Sequence, residues 1–232
     1  MISDNEFFKN FSLLQEQLTV LAEQSGRKSD EIRILPVTKN HPFDAVDFCG
    51  RAGLSAVGEN RVQEAAEKRE QVAEKEITWE LIGHLQSNKA AQAVEIFDRI
   101  QSVDSLKLAR RLDRIVGERG KVLRCLIQVN TGADPGKFGF LEEGFDRNFE
   151  ALCGCSHLQI EGLMTIAPLE GGKETARPAF ARLRELADDM RRASGLALDE
   201  LSMGMSGDWP EAVAEGSTLI RVGSALFGAR TY

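Results

Sequence analysis

Eight short apolar runs, each followed by a stretch of helix-forming composition, constrain this chain more than any other feature. The runs are Ile34–Lys39, Ala56–Gly58, Thr78–Gly83, Arg99–Val103, Val122–Val129, Ile160–Ile166, Leu201–Met205 and Leu219–Gly223. Between them lie Asp44–Ala52, Arg61–Val72, Ser87–Ile96, Leu106–Glu118, Phe140–Leu152, Glu174–Ala193 and Trp209–Ala214, which carry helical periodicity or propensity. Strands alternating with helices build a parallel sheet, and eight strands close a barrel. Most runs are continuously apolar, as strands covered on both faces are. The expected fold is therefore α/β, a single (β/α)8 TIM-type barrel spanning residues 1–232 as one domain. A doubly wound open sheet is the rival. It usually places a glycine-rich turn after its first strand, whereas here that turn reads Lys39-Asn-His-Pro-Phe43. Residues 5–25, with Phe8, Phe11, Leu14, Leu18 and Leu21 at helical spacing, predict an extra N-terminal helix on the outside or bottom of the barrel.

Composition excludes several classes of function. The net charge is −7, with basic and acidic residues interspersed and no basic block, which argues against nucleic-acid binding. No apolar stretch approaches the roughly 20 residues that cross a bilayer, so no membrane association is expected. The N-terminus lacks a basic-then-apolar leader pattern, so the expected location is cytoplasmic. Four cysteines (Cys49, Cys125, Cys153 and Cys155) then read as reduced thiols. Cys153-Gly-Cys155 with His157 nearby does not match a standard zinc spacing, and no metal site is expected.

In such barrels chemistry collects at the C-terminal ends of the strands. Lys39 closes the first run. A cation at the end of a buried strand is costly unless it is paired or loses its proton, and a neutral lysine is a nucleophile toward aldehydes. A lysine that snorkels to water is the competing reading. The last two runs end in Ser206-Gly207 and Gly223-Ser224, whose small residues let backbone N–H groups approach a phosphate, although tight turns need the same residues. Strand one adjoins strand eight in a closed barrel, so a lysine amine would face an anion cradle. Pyridoxal 5′-phosphate (PLP) carries an aldehyde and a phosphate on one ring and matches that pairing. By strand alternation Arg221 shares the face of Gly223 and can meet either the ring nitrogen or an anion.

Six segments in correct order carry a resemblance across almost the whole chain. They are Val37-Thr-Lys39, Gly58-Glu-Asn-Arg-Val-Gln-Glu64, Ile82-Gly-His-Leu-Gln-Ser-Asn-Lys89, Gly162-Leu-Met-Thr-Ile-Ala-Pro168, Leu201-Ser-Met-Gly-Met-Ser206 and Arg221-Val-Gly-Ser-Ala-Leu-Phe-Gly228. The sequence resembles the pyridoxal phosphate homeostasis proteins, also described as proline synthetase co-transcribed homologues. The resemblance implies a barrel like the N-terminal domain of alanine racemase, with PLP as a covalent aldimine at Lys39. It also implies phosphate contacts from Ser206, Gly223 and Ser224, Arg221 near the pyridine nitrogen, and Asn60 beside the cofactor. Two departures stand out: Glu80 follows Trp79 where the family commonly has histidine, and the loop Thr131–Lys137 differs. Neither falls on the implied anchors, and both count against a family-wide surface role for those loops rather than against PLP binding.

Carrier and enzyme readings compete. The resemblance implies a protein that carries or buffers PLP and maintains vitamin B6 and amino-acid homeostasis, with no catalytic residues. The alternative is a PLP-dependent amino-acid racemase, which needs a second proton-transfer group opposite the lysine. Alanine racemases use a tyrosine on an additional domain. Here the one tyrosine is Tyr232, no further domain is expected after the eighth run, and the carrier reading is expected. Cys49 and Cys125 read as core filler rather than thiol bases, and His84 as a loop-holding residue beside the other polar candidate, Glu59. A Schiff-base sugar-phosphate aldolase using Lys39 is a third reading. The expected partners are PLP and apo PLP-dependent enzymes, and the expected state is a monomer.

Overall fold

The structure, a computed structural model, describes residues 2–72, 76–168 and 170–228. Its strands are β1 (Arg33–Pro36), β2 (Ala56–Glu59), β3 (Thr78–Leu81), β4 (Arg99–Val103), β5 (Leu123–Gln128), β6 (Leu158–Met164), β7 (Glu200–Met205) and β8 (Leu219–Val222). All are parallel, in the order β1-β8-β7-β6-β5-β4-β3-β2. The seam between β1 and β2 carries no full ladder. One isolated bridge joins Val37 to Gly58, and the Thr38 N–H donates to the Gly58 carbonyl at 3.1 Å. On its other side the Val37 N–H donates to the Val222 carbonyl at 2.9 Å, so the end of β1 is held between β2 and β8.

The strands are linked by helices α2 (Asp44–Arg51), α3 (Val62–Gln71), α4 (Ala90–Ile96), α5 (Leu106–Gly117), α6 (Phe145–Cys153), α7 (Lys173–Ser194) and α8 (Trp209–Ala214), after α1 (Asp4–Gln24) and before α9 (Ser224–Phe227). The expected alternation is thus present, with the expected N-terminal helix. Several boundaries move by a few residues, two of them for physical reasons that bear on the site. The ladder of β1 stops at Pro36, so Lys39 sits in the turn beyond Val37 rather than on the strand. Phe140 does not open α6. It bridges Val129, accepting from the Asn130 N–H and donating to the Gln128 carbonyl, and the helix begins only after Gly144, whose φ is 72°.

Helix α1 is capped by Ser3 and Glu6, each side chain meeting the other's backbone N–H. It packs on α8 and α9, outside the barrel, and Asn10 donates to the Leu226 carbonyl at 3.0 Å. Its buried stripe is Phe7, Phe11, Leu14, Leu18 and Ala22. Phe8 and Leu21, expected on that stripe, lie at its edge because Phe7 takes the central position against Phe227. Burying each large apolar side chain contributes about 1.5–3 kcal/mol, which ties this helix to the closing turn of the barrel.

The barrel interior is more polar than an aliphatic stack. Glu80, Arg99, Gln101, Ser202 and Arg221 are all buried. Glu80 therefore lies inside the barrel and not on a loop surface, which corrects the reading of that departure. At the N-terminal end of the strands Arg99 gathers Glu80, Glu161 and Glu200, and Arg33 and Arg124 bind Glu200 and Glu161 from outside.

Candidate functional site

At the opposite, C-terminal rim a cavity of about 470 Å³ is lined by Val37, Lys39, His41, Ile82, Met205, Ser206, Gly207, Arg221, Gly223, Ser224 and Gly228. Five of the six expected site residues line it: Lys39, Ser206, Arg221, Gly223 and Ser224. Asn60 does not. It is half-buried just past β2, with its backbone against Gly83. A Cβ on Gly83 would lie 2.3 Å from the Asn60 carbonyl oxygen, so only glycine allows this approach. Gly83→Ala is expected to lower unfolding stability by about 1–3 kcal/mol, read from the urea midpoint, because backbone rather than a flexible side chain would have to move.

Lys39 is half-buried, between the fully buried Thr38 and Asn40, whose φ of 61° turns the chain away from the sheet. The residues on both sides of the lysine are clamped from below. Lys68 Nζ donates to the Thr38 carbonyl, to Glu59 Oε1 and to Glu64 Oε1, each at 2.7 Å. Glu59 Oε1 also accepts from the Thr38 hydroxyl at 2.6 Å, and Glu64 Oε1 accepts the Asn40 N–H. Glu59 is fully buried, and burial raises its pKa despite the neighbouring ammonium. Lys68 is itself buried. From its sequence the Arg, Gln, Glu and Lys face of Arg61–Val72 reads as solvated, yet the Lys68 ammonium reaches back under the β1 turn. Helical spacing alone holds one hint, the i,i+4 pair Glu64–Lys68.

Arg221 is buried, and its hydrogen-bond acceptors are neutral: Ser202 Oγ at 2.6 Å and the Thr165 carbonyl at 2.8 Å. Burial pulls its pKa down to about 10, against the opposing pull of Asp208. A guanidinium bordering a cavity with neutral partners favours an anionic or electron-rich ligand. Ser206 Oγ accepts the N–H groups of Gly223 at 3.3 Å and Ala225 at 3.4 Å, so donors from the loop after β8 converge beside a hydroxyl from the loop after β7.

Other candidates fall outside this cavity. His84 Nδ1 lies 2.6 Å from Asp104 and its ring stacks on Phe138 at 3.7 Å, as a loop-holding residue does. Cys49 and Cys125 are buried in the core, and burial pushes both thiols far above their ordinary range, which disfavours a thiolate base. Tyr232 lies outside the described residues.

Known proteins carry the same architecture. Residues 12–231 match the family described as alanine racemase, N-terminal domain. The pyridoxal phosphate homeostasis protein of Synechocystis sp. is 42% identical over 213 residues, covering 91% of this chain and 98% of that protein. This chain belongs to the pyridoxal phosphate homeostasis protein family. Within the family, the structure of PipY of Synechococcus elongatus with PLP bound superposes with a TM-score of 0.80 at 45% identity, covering 85% of this chain and 93% of that one. Alanine racemase of Clostridium difficile shares the barrel with a TM-score of 0.75 at 16% identity. The match covers 98% of this chain but 58% of the racemase, and the likeness is one of fold alone. Among the described residues no helix is long and apolar enough to cross a membrane.

Proposed function

We propose that the rim cavity binds PLP, with Lys39 as the covalent anchor, and that the protein carries or buffers the coenzyme without turning over a substrate. The observation that carries this reading is the meeting of a lysine amine, a hydroxyl ringed by backbone N–H donors and a buried guanidinium around one cavity. Its volume of about 470 Å³ falls within the range of small-molecule sites, about 300–1,000 Å³. PipY with PLP bound, at 45% identity, supports the choice of ligand. Bound there, PLP supplies an aldehyde for attachment to an amine and a phosphate for non-covalent anchoring.

In this reading Ser206, Gly223 and Ser224 hold the phosphate and Arg221 meets the ring, with Asn60 one step back behind Gly83. The fixed positive charge of Arg221 discourages a proton on a facing ring nitrogen, which weakens the ring as an electron sink and fits a carrier better than a catalyst. The reading extends to a single-domain cytoplasmic monomer that passes PLP to apo PLP-dependent enzymes. Reconstitution with PLP, borohydride reduction and peptide mapping test it. The expected result is a reducible visible band and modification at Lys39. Racemisation of amino acids at ordinary enzymatic rates would instead establish the enzyme reading, and a protein that never takes up the chromophore would favour an aldolase. The double variant Ser206→Ala with Ser224→Ala should retain PLP about ten- to a hundredfold more weakly while the band still forms, as expected for losing one or two hydrogen bonds to a charged group. Unchanged retention, measured by dialysis, would remove the phosphate assignment.

A further inference from the structure

One feature of the barrel interior reaches the cavity from the far end of the strands. Gln101 on β4 and Ser202 on β7 come from opposite sides of the sheet order, so their contact crosses the barrel. The Gln101 amide donates to Glu80 Oε2 at 2.5 Å. The Ser202 hydroxyl donates to Gln101 Oε1 at 2.6 Å, and Ser202 Oγ in turn accepts from Arg221 Nη1 at 2.6 Å. Arg99 holds both oxygens of Glu80, at 2.7 and 2.9 Å.

Only one polarity suits this line. Arginine has donors alone, so at Arg221 the serine must accept, and its single proton must point to Gln101 Oε1. The amide nitrogen of Gln101 must then face an acceptor. An ionised carboxylate at position 80, fixed by Arg99, offers nothing else. Glu80 thus holds the Gln101 amide, from two side chains away, in the one orientation that lets Ser202 present its lone pair to Arg221.

We infer that Glu80 and Gln101 are positioning residues that act through Ser202 to hold the Arg221 guanidinium against the cofactor cavity. The inference rests on the PLP reading only for what Arg221 faces. The line itself belongs to the protein alone. Glu80→Gln makes one amide oxygen serve both Arg99 and Gln101 and turns an N–H group toward donors. Gln101→Met keeps the volume and breaks the line without leaving Arg99 unpaired, which guards against a variant that fails to fold.

Two readouts test the inference. Side-chain hydrogen exchange at the Arg221 Nη groups, followed by NMR without cofactor, should quicken about tenfold or more in each folded variant, the effect of losing a hydrogen bond to a charged group. In PLP-loaded protein the visible band should move and retention should weaken by about tenfold, while reduction still marks Lys39. Unchanged exchange in Gln101→Met overturns the inference. So does faster exchange with an unmoved band and unaltered retention, since a structural strut alone would leave the ring's spectrum as it was. If wild-type protein takes up no PLP, the PLP reading fails on its own, and the exchange measurement still decides whether the line holds Arg221.

Discussion

Lys39→Ala is expected to abolish the borohydride-reducible band of PLP-loaded protein and to weaken retention of the coenzyme by about a hundredfold or more, a loss of about 2.8 kcal/mol. The fold should survive. Lys39 is half-buried in the turn after β1 and is not part of its ladder, and Val37 and Thr38 keep their backbone bonds to Val222 and Gly58 through main-chain atoms. Far-ultraviolet circular dichroism and the urea midpoint should therefore stay close to wild type. The phosphate side of the cavity remains, so residual non-covalent binding that still depends on Ser206 and Ser224 is expected. A reducible band that persists in Lys39→Ala would move the covalent anchor elsewhere.

Lys68→Met should carry the largest cost in stability, about 3–5 kcal/mol by urea denaturation near neutral pH, the usual cost of breaking a buried ion pair. All three ammonium protons are engaged, and among the described residues Glu59 Oε2 already has no hydrogen-bond partner. Without Lys68, the Thr38 hydroxyl is the one donor left to Glu59 among the described residues. The deficit should depend on pH with a definite sign. Burial already raises the Glu59 pKa in the folded state, and removing the ammonium raises it further. Between the unfolded and folded pKa values the folded state binds more protons than the unfolded chain, so stability falls as pH rises through that window. The Lys68→Met deficit should therefore shrink as pH falls through that window, be smallest below the unfolded pKa, where Glu59 is protonated in both states, and be largest above the folded pKa. A deficit independent of pH would show that the lost packing of the lysine stem, rather than the stranded carboxylate, sets the cost. Because Lys68 braces Thr38 and its partner Glu64 braces Asn40, PLP retention should fall alongside stability.

The sequence and the structure agree where the physics is local. Continuous apolar runs such as Ala56–Gly58 and Leu219–Gly223 need cover on both faces, and they became strands within a residue or so of their expected ends. The residues that finish β7 and β8 lie at one rim because every strand points the same way, which brought Ser206, Arg221, Gly223 and Ser224 together with Lys39. What was not legible depends on partners far along the chain. Lys68 looks solvated on its own helix, and only the ends of β1 and β2, which lie together beneath it, supply Thr38 and Glu59. Glu80 interrupts a strand that reads as apolar, and the donors to its carboxylate, Arg99 and Gln101, come from β4. Phe140 fits a helical pattern, yet the open edge beyond β5 offered it a bridge to Val129 first. The close approach of Gly83 to the Asn60 backbone is likewise a tertiary contact with no signature in spacing.

The single stitch between Val37 and Gly58 has a consequence for traffic through the cavity. Every other neighbouring pair of strands is laced by a ladder, so opening of the barrel is expected to begin at this slit. The slit lies two residues before Lys39, and parting it loosens the lysine turn while the phosphate loops stay on the sutured side between β7 and β8. A bound small molecule would thus be let go amine-first, with its anionic end the last to leave.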